Sequence, residues 1–144
     1  MMGRVKGPAI LEVGAGDGYC SQYLIKQGFK VSSCEISKIR LERMRKAGIP
    51  CDEGDLNRLP YPDGTFDTVM CGEVLEHLDS IGKGFSELER VCKPDGIIII
   101  SLPVSQRYDG IDMHLWGIRQ HNVLYEGKLD LTVLTFQRIN REKI

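Results

Sequence analysis

The stretch Ile10-Leu11-Glu12-Val13-Gly14-Ala15-Gly16-Asp17-Gly18-Tyr19 constrains the fold of this chain more than any other. A short apolar run carrying one acid leads into a glycine at every second position, then into residues able to begin a helix. This pattern reads as a buried strand, a turn too tight for side chains and an exposed helix N-terminus. Glycines there can take positive φ and bring the backbone close to a ligand, so the turn is a candidate cofactor site.

The rest of the chain repeats the strand–helix alternation. Strands are predicted at Ala9 to Val13, Lys30 to Cys34 (ending on Glu35), Ile49 to Glu53, Phe66 to Cys71 and Ile97 to Leu102. Helices are predicted from about Asp17 to Gln27, from Ile39 to Ala47 behind a Ser37 cap, and from an Asp79 cap through Cys92. Cys20, Tyr23, Leu24 and Gln27 form the inward stripe of the first helix, with Gly28 after its end; Phe85, Leu88, Val91 and Cys92 face inward in the third. Lys93-Pro94-Asp95-Gly96 reads as a turn. After Pro103 the rhythm changes to a hairpin, His121 to Tyr125 and Leu129 to Ile139, turning at Gly127. The expected fold class is α/β, a Rossmann-like three-layer sandwich. Its mostly parallel sheet is closed by a C-terminal antiparallel hairpin, with shortened N-terminal and late helical elements.

At 144 residues the chain is read as a single domain, residues 1–144. A formal charge of −1 argues against nucleic acid and anionic membrane as partners. No apolar run approaches a membrane span and the N-terminus lacks a signal peptide's apolar stretch, so the expected location is cytoplasmic. Five scattered cysteines without a Cys-x-x-Cys pair read as reduced, mostly buried small hydrophobes.

Charge discriminates among nucleotides. A dinucleotide fingerprint would carry Gly-x-Gly-x-x-Gly, but the spacing here is Gly14-x-Gly16-x-Gly18 and Tyr19 takes the third glycine's place. Glu12 and Asp17 would repel a pyrophosphate and suit a cationic ligand. Glu35, 21 positions after Gly14 (35 − 14), can accept hydrogen bonds from both ribose hydroxyls of an adenosine. Asp55, after the third strand, can accept one from an adenine amino group. Each acid alone also reads as a surface loop residue; together they stand at three successive strand ends, where open α/β sheets bind ligands.

Taken together, Glu12-x-Gly14-x-Gly16-x-Gly18, Glu35, Asp55-Leu56-Asn57-Arg58-Leu59-Pro60, Phe66-Asp67-x-Val69 and Glu73-Val74-Leu75-Glu76-His77 resemble the class I S-adenosylmethionine-dependent methyltransferases. Leu88-x-Arg90-Val91-x-Lys93-Pro94-x-Gly96 completes the likeness, which covers about Ala9 to Pro103. The resemblance implies S-adenosyl-L-methionine as cofactor and S-adenosyl-L-homocysteine as product. It implies a glycine turn (Gly14, Ala15, Gly16, Asp17, Gly18) holding the methionine moiety, Glu35 and Ile36 at the ribose, Asp55 and Leu56 at the adenine, and Cys71 and Glu73 near the methionine end.

An oxygen nucleophile needs help losing its proton, which makes His77 and His114 the candidate catalytic groups. Glu73, Glu76 and His77 share one face if their segment is helical, and such a set can hold a divalent ion. The resemblance extends the set to His114, as in enzymes that methylate small-RNA ends. The same residues are common in members without metal, where they make structural or pocket hydrogen bonds, and no metal is the favoured reading. Trp116 can stack on an acceptor, though core packing is preferred; Arg107 and Tyr108 are rim candidates.

Two departures from the family pattern are expected. No N-terminal lid helix precedes the first strand, and the helix before the hairpin is missing or very short. The acceptor is then small, or presented by a second subunit (a homo-oligomer or a partner completing the lid), or the chain is a fragment. The expected activity is transfer of a methyl group to a small molecule at oxygen or nitrogen by in-line displacement. The alternative is a catalytically silent cofactor-binding or scaffold subunit.

Overall fold

The computed structural model describes residues 5–103, 116–126 and 129–138. Among these, seven strands form one sheet in the order β3-β2-β1-β4-β5-β7-β6. They are β1 (Ala9–Val13), β2 (Lys30–Glu35), β3 (Asp52–Glu53), β4 (Phe66–Gly72), β5 (Cys92–Pro103), β6 (Trp116–Glu126) and β7 (Leu129–Arg138). The first five pair in parallel, and β7 joins β5 and β6 antiparallel. The α/β class and the closing hairpin are as expected. Strand order reverses between β1 and β4, the kind of place where sheets of this type bind ligands.

Period-2 alternation divides the core into two layers. Leu11, Val13, Val69, Cys71, Ile98 and Ile100 pack with Phe85, Leu88 and Val91 of α3 (Ile81–Val91). Ile10, Val31, Met70, Ile97 and Ile99 face the other way, against Leu24 of α1 (Tyr19–Lys26). Helix α2 (Lys38–Lys46) buries only Leu41 and Met44, the latter against Ala15 and Ile49. All five cysteines are free; Cys34, Cys71 and Cys92 are buried and Cys20 and Cys51 half-buried. No helix of the described residues is long and apolar enough to cross a membrane.

Several local expectations need correction. The inward stripe of α1 is Ser21 and Leu24, with Cys20 half-buried, whereas Tyr23 and Gln27 are exposed. Ser21 is drawn inward because its hydroxyl bonds to Glu12 and Ser33, a polar need that hydrophobic periodicity does not reveal. Ser37 stands at the N-cap of α2 without a side-chain capping bond. Helix α3 is capped by Ser80 rather than Asp79, with the Ser80 hydroxyl accepting from the Lys83 amide, and it ends at Val91. Lys93 to Gly96 lies within β5, as an irregularity where the register jumps from Phe66↔Cys92 to Thr68↔Ile97. Strand β6 begins five residues before His121, at Trp116; Arg107, Tyr108 and His114 lie outside the described residues.

One carboxylate ties three of the parallel strands together below the site. Asp67 accepts from Lys93 Nζ at 2.8 Å and from the Ala9 amide at 3.0 Å, linking β4 to β5 and β1. The Lys93 hydrogen bond is the chief reason its pKa lies below the ordinary 3.8, against an opposing push from burial. Its contribution to stability is therefore complete above about 3.8 and disappears as pH falls through the depressed native value. Asp67→Asn should cost about 1–3 kcal/mol at pH 7. That deficit should shrink in acid, measured as the gap between the two melting curves from pH 7 down to pH 2.

Candidate cofactor site

Register sets the site. Val13 pairs with both Cys34 and Cys71, so β1, β2 and β4 end at one level, and Glu35 pairs with Glu53 to bring β3 there too. A cavity of about 460 Å³ opens at these ends, lined by Val13, Gly14, Glu35, Ile36, Arg40, Gly54 and Asp55 and, beyond them, Leu56, Asn57, Glu73, Val74, His77 and Leu78.

Of the glycine turn, Gly14 lines this cavity, whereas Ala15, Gly16, Asp17 and Gly18 are not among its lining residues. Gly14, Gly16 and Gly18 have φ of 71°, 60° and 79°. Gly14 and Ala15 donate to Cys34 O at 2.8 and 3.2 Å, which ties the turn to the end of β2. The glycines have different local reasons. A Cβ on Gly14 would stand 2.1 Å from Val74 Cγ2, across the cavity wall. One on Gly18 would meet Met44 Cε at 2.8 Å and Ile49 Cδ1 at 2.9 Å, a demand of α2 packing. At Gly16 the nearest atom is Arg40 Nη1 at 3.8 Å, leaving its backbone open.

Glu35 is buried, with 4% of its surface exposed. Its Oε2 accepts from the Gly16 amide at 2.8 Å; Oε1 accepts from Ile36 and Ser37 at 3.0 and 2.9 Å. One carboxylate thus joins the turn to the entry of α2 while lining the cavity. Asp55 is exposed and held by Asn57, whose amide and Nδ2 donate to its Oδ1 at 2.8 and 2.9 Å. Leu56 beside it is buried and supplies an apolar wall.

Glu73 has the one left-handed backbone among the described non-glycine residues, φ 54°. Its amide donates to Ser101 O at 3.0 Å. Burial and the neighbouring Glu76 charge raise its pKa, against a lowering by the Ser101 hydrogen bond. The left-handed turn prevents a continuous helix, so Glu73, Glu76 and His77 do not share the helical face expected of them; only Leu75–His77 form a 3-10 turn. The Glu76 side chain is 5% exposed and that of His77 76% exposed. Among the described residues no three His, Cys, Asp or Glu side chains gather as a metal-holding group.

Of the residues singled out from sequence, Gly14, Glu35, Ile36, Asp55, Leu56, Glu73 and His77 are brought together around the cavity. Glu12 lies behind it, bonded by the Ser21 hydroxyl, which in turn receives the Ser33 hydroxyl at 2.6 Å. Burial raises the Glu12 pKa, partly offset by the hydrogen bond from Ser21. Asp17 faces outward to Arg43 at 3.2 Å. Ala15 and Cys71 are buried, and burial and the Glu76 charge push the Cys71 thiol upward. Arg40, Asn57, Val74 and Leu78 line the cavity and were not anticipated. Arg40 is legible only as the residue one turn into the helix after Glu35, and Val74 only once its contact with Gly14 is known.

A family profile described as a methyltransferase domain matches residues 11–100, which contain β2, β3 and β4 and most of β1 and β5. The chain belongs to the S-adenosylmethionine-dependent methyltransferase family. It is 36% identical over 93 residues to the demethylmenaquinone methyltransferase of Streptomyces griseus subsp. griseus, covering 63% of this chain and 40% of that protein. It is 30% identical over 105 residues to the malonyl-[acyl-carrier protein] O-methyltransferase of Halorhodospira halophila, covering 68% and 36%. The solved S-adenosylmethionine-dependent methyltransferase of Mesorhizobium loti shares the fold, with a TM-score of 0.80 at 15% identity over 94% of this chain and 93% of that one. The chain spans about two fifths of the length of the curated relatives it matches.

The first two glycines of the turn should respond differently to substitution. Gly16→Ala introduces backbone strain alone, about 1–2 kcal/mol. Gly14→Ala adds the collision with Val74, about 1–3 kcal/mol more. Val74→Ala in the same chain should recover that second part only. Urea unfolding of the three variants measures the difference.

Proposed function

We propose that the chain binds S-adenosylmethionine in this cavity and directs its methyl group to a small-molecule acceptor at oxygen or nitrogen. The observation that carries the reading is the charge of the lining. Glu35, Asp55 and Glu73 face the same cavity and Arg40 is the one guanidinium among its lining residues. Such a wall favours an adenosine bearing positive charge and disfavours a pyrophosphate.

In this reading Glu35 would accept the ribose hydroxyls, Asp55 and Leu56 would offer an acceptor and an apolar wall to the adenine, and Gly14 would leave room for the methionine end. When bound, S-adenosylmethionine supplies a methyl group already activated by a positively charged sulfur. The chain's own task is to align the acceptor and exclude water, so proximity supplies much of the acceleration. His77, which lines the cavity with its ring largely exposed, would accept a proton from an acceptor hydroxyl or amine. A small acceptor group is supported by the relatives, one named for demethylmenaquinone and one for a malonyl group borne on an acyl-carrier protein.

Calorimetry with S-adenosylmethionine should show binding and NAD should show none; micromolar binding of NAD would refute the charge argument. Glu35→Ala should weaken the cofactor by about 1–3 kcal/mol if both ribose bonds form. Labelled methyl transfer into a cell extract should follow, and tight binding with no transfer would point to a silent, cofactor-holding subunit instead. His77→Ala should lower transfer while leaving the cofactor dissociation constant unchanged.

A further inference from the structure

The loop between β3 and β4 supplies Asp55, Leu56 and Asn57 to the cavity, yet apart from one Asp55–Arg58 bridge it has no regular structure. Its shape is imposed from α3. Arg90 Nη1 donates to Tyr61 O at 2.7 Å and to Asp63 Oδ1 at 2.8 Å. Its Nη2 donates to Leu59 O at 3.1 Å and to Glu87 Oε1 at 2.6 Å, and its Nε to Glu87 Oε2 at 3.0 Å. These bonds employ all the N–H donors a guanidinium has. Glu87 Oε1 also accepts from the Leu59 amide at 2.8 Å, so the pair grips both backbone polar groups of Leu59. The grip is rigid at its base, since Phe85, Leu88 and Val91 fix α3 in the core. Arg90 and Glu87 are themselves absent from the cavity lining.

We infer that Arg90 and Glu87 are positioning residues for cofactor binding, which act by holding the loop so that Asp55 and Leu56 present one fixed edge to the adenosine. Two residues separate Leu56 from the gripped Leu59, and Leu56 and Leu59 are both buried, so a shift at Leu59 is carried to Asp55 through packed side chains. Lysine at position 90 keeps the charge but offers one ammonium in place of the planar fork, and cannot reach the same set of acceptors. The inference rests on the adenosine reading of the cavity.

The test uses the whole chain and S-adenosylhomocysteine as the calorimetric probe. Arg90→Lys should raise its dissociation constant about tenfold. Combined with Asp55→Ala the two losses should be markedly less than multiplicative, because both act on the same contact; combined with Glu35→Ala they should multiply. A residue that merely stabilised the fold would give no such selective coupling. Amide exchange at Leu59 should quicken in Arg90→Lys. If that variant does not fold, Glu87→Gln carries the same comparison, since it removes the charge opposite the guanidinium while leaving Arg90 its carbonyl partners. Unchanged affinity in a folded variant, or equal coupling to Asp55 and Glu35, would overturn the inference. Failure of the unaltered chain to bind S-adenosylhomocysteine would overturn the adenosine reading and this inference with it, an outcome distinct from loss of the clamp alone.

Discussion

Parallel register is the constraint on which the site depends. With Val13 opposite both Cys34 and Cys71, and Glu35 opposite Glu53, every strand of the central group stops at one height. Residues far apart in the chain then share one rim without any need for direct attraction. Their acids would repel one another if they had to be assembled from flexible loops. Strand pairing and two apolar layers of Val, Ile and Leu hold them instead, and hydrophobic burial outweighs a moderate cost in like-charge proximity.

On that rim, Glu35 holds the structure together while lining the cavity. It satisfies the Gly16, Ile36 and Ser37 amides, which fixes the turn against α2. The polar chain from Ser33 through Ser21 to Glu12 works differently. It anchors α1 to the buried end of β1, behind the turn, and so keeps the helix start where the glycines require it.

What could be read from the sequence followed how local each feature is. Strands β1 and β4 are largely apolar runs and β2 a short stretch between Gly28 and the acid Glu35, and they emerge where expected. The acids at their ends were legible for the same reason. Features that depend on distant partners were not. Tyr23 looks inward by periodicity, but Ser21 takes the inward place to meet Glu12. Lys93-Pro94-Asp95-Gly96 has turn chemistry, yet β4 pairs with Cys92 before it and Ile97 after it, so it becomes an irregularity inside β5. Glu73 to His77 has helical spacing, and the left-handed Glu73 breaks it. Arg40, Asn57 and Val74 reach the cavity only through the tertiary fold.

The left-handed Glu73 also says something about how stability and use are balanced at this wall. A non-glycine residue in that conformation is held against its own preference, and glycine or asparagine would sit there more comfortably. Selection for thermal robustness alone would therefore drift toward a neutral residue at position 73, leaving Glu35 and Asp55 as the remaining acids of the lining. Conformational discomfort and surface charge are joined at one position, so a stabilised variant and one that keeps the acidic lining diverge there.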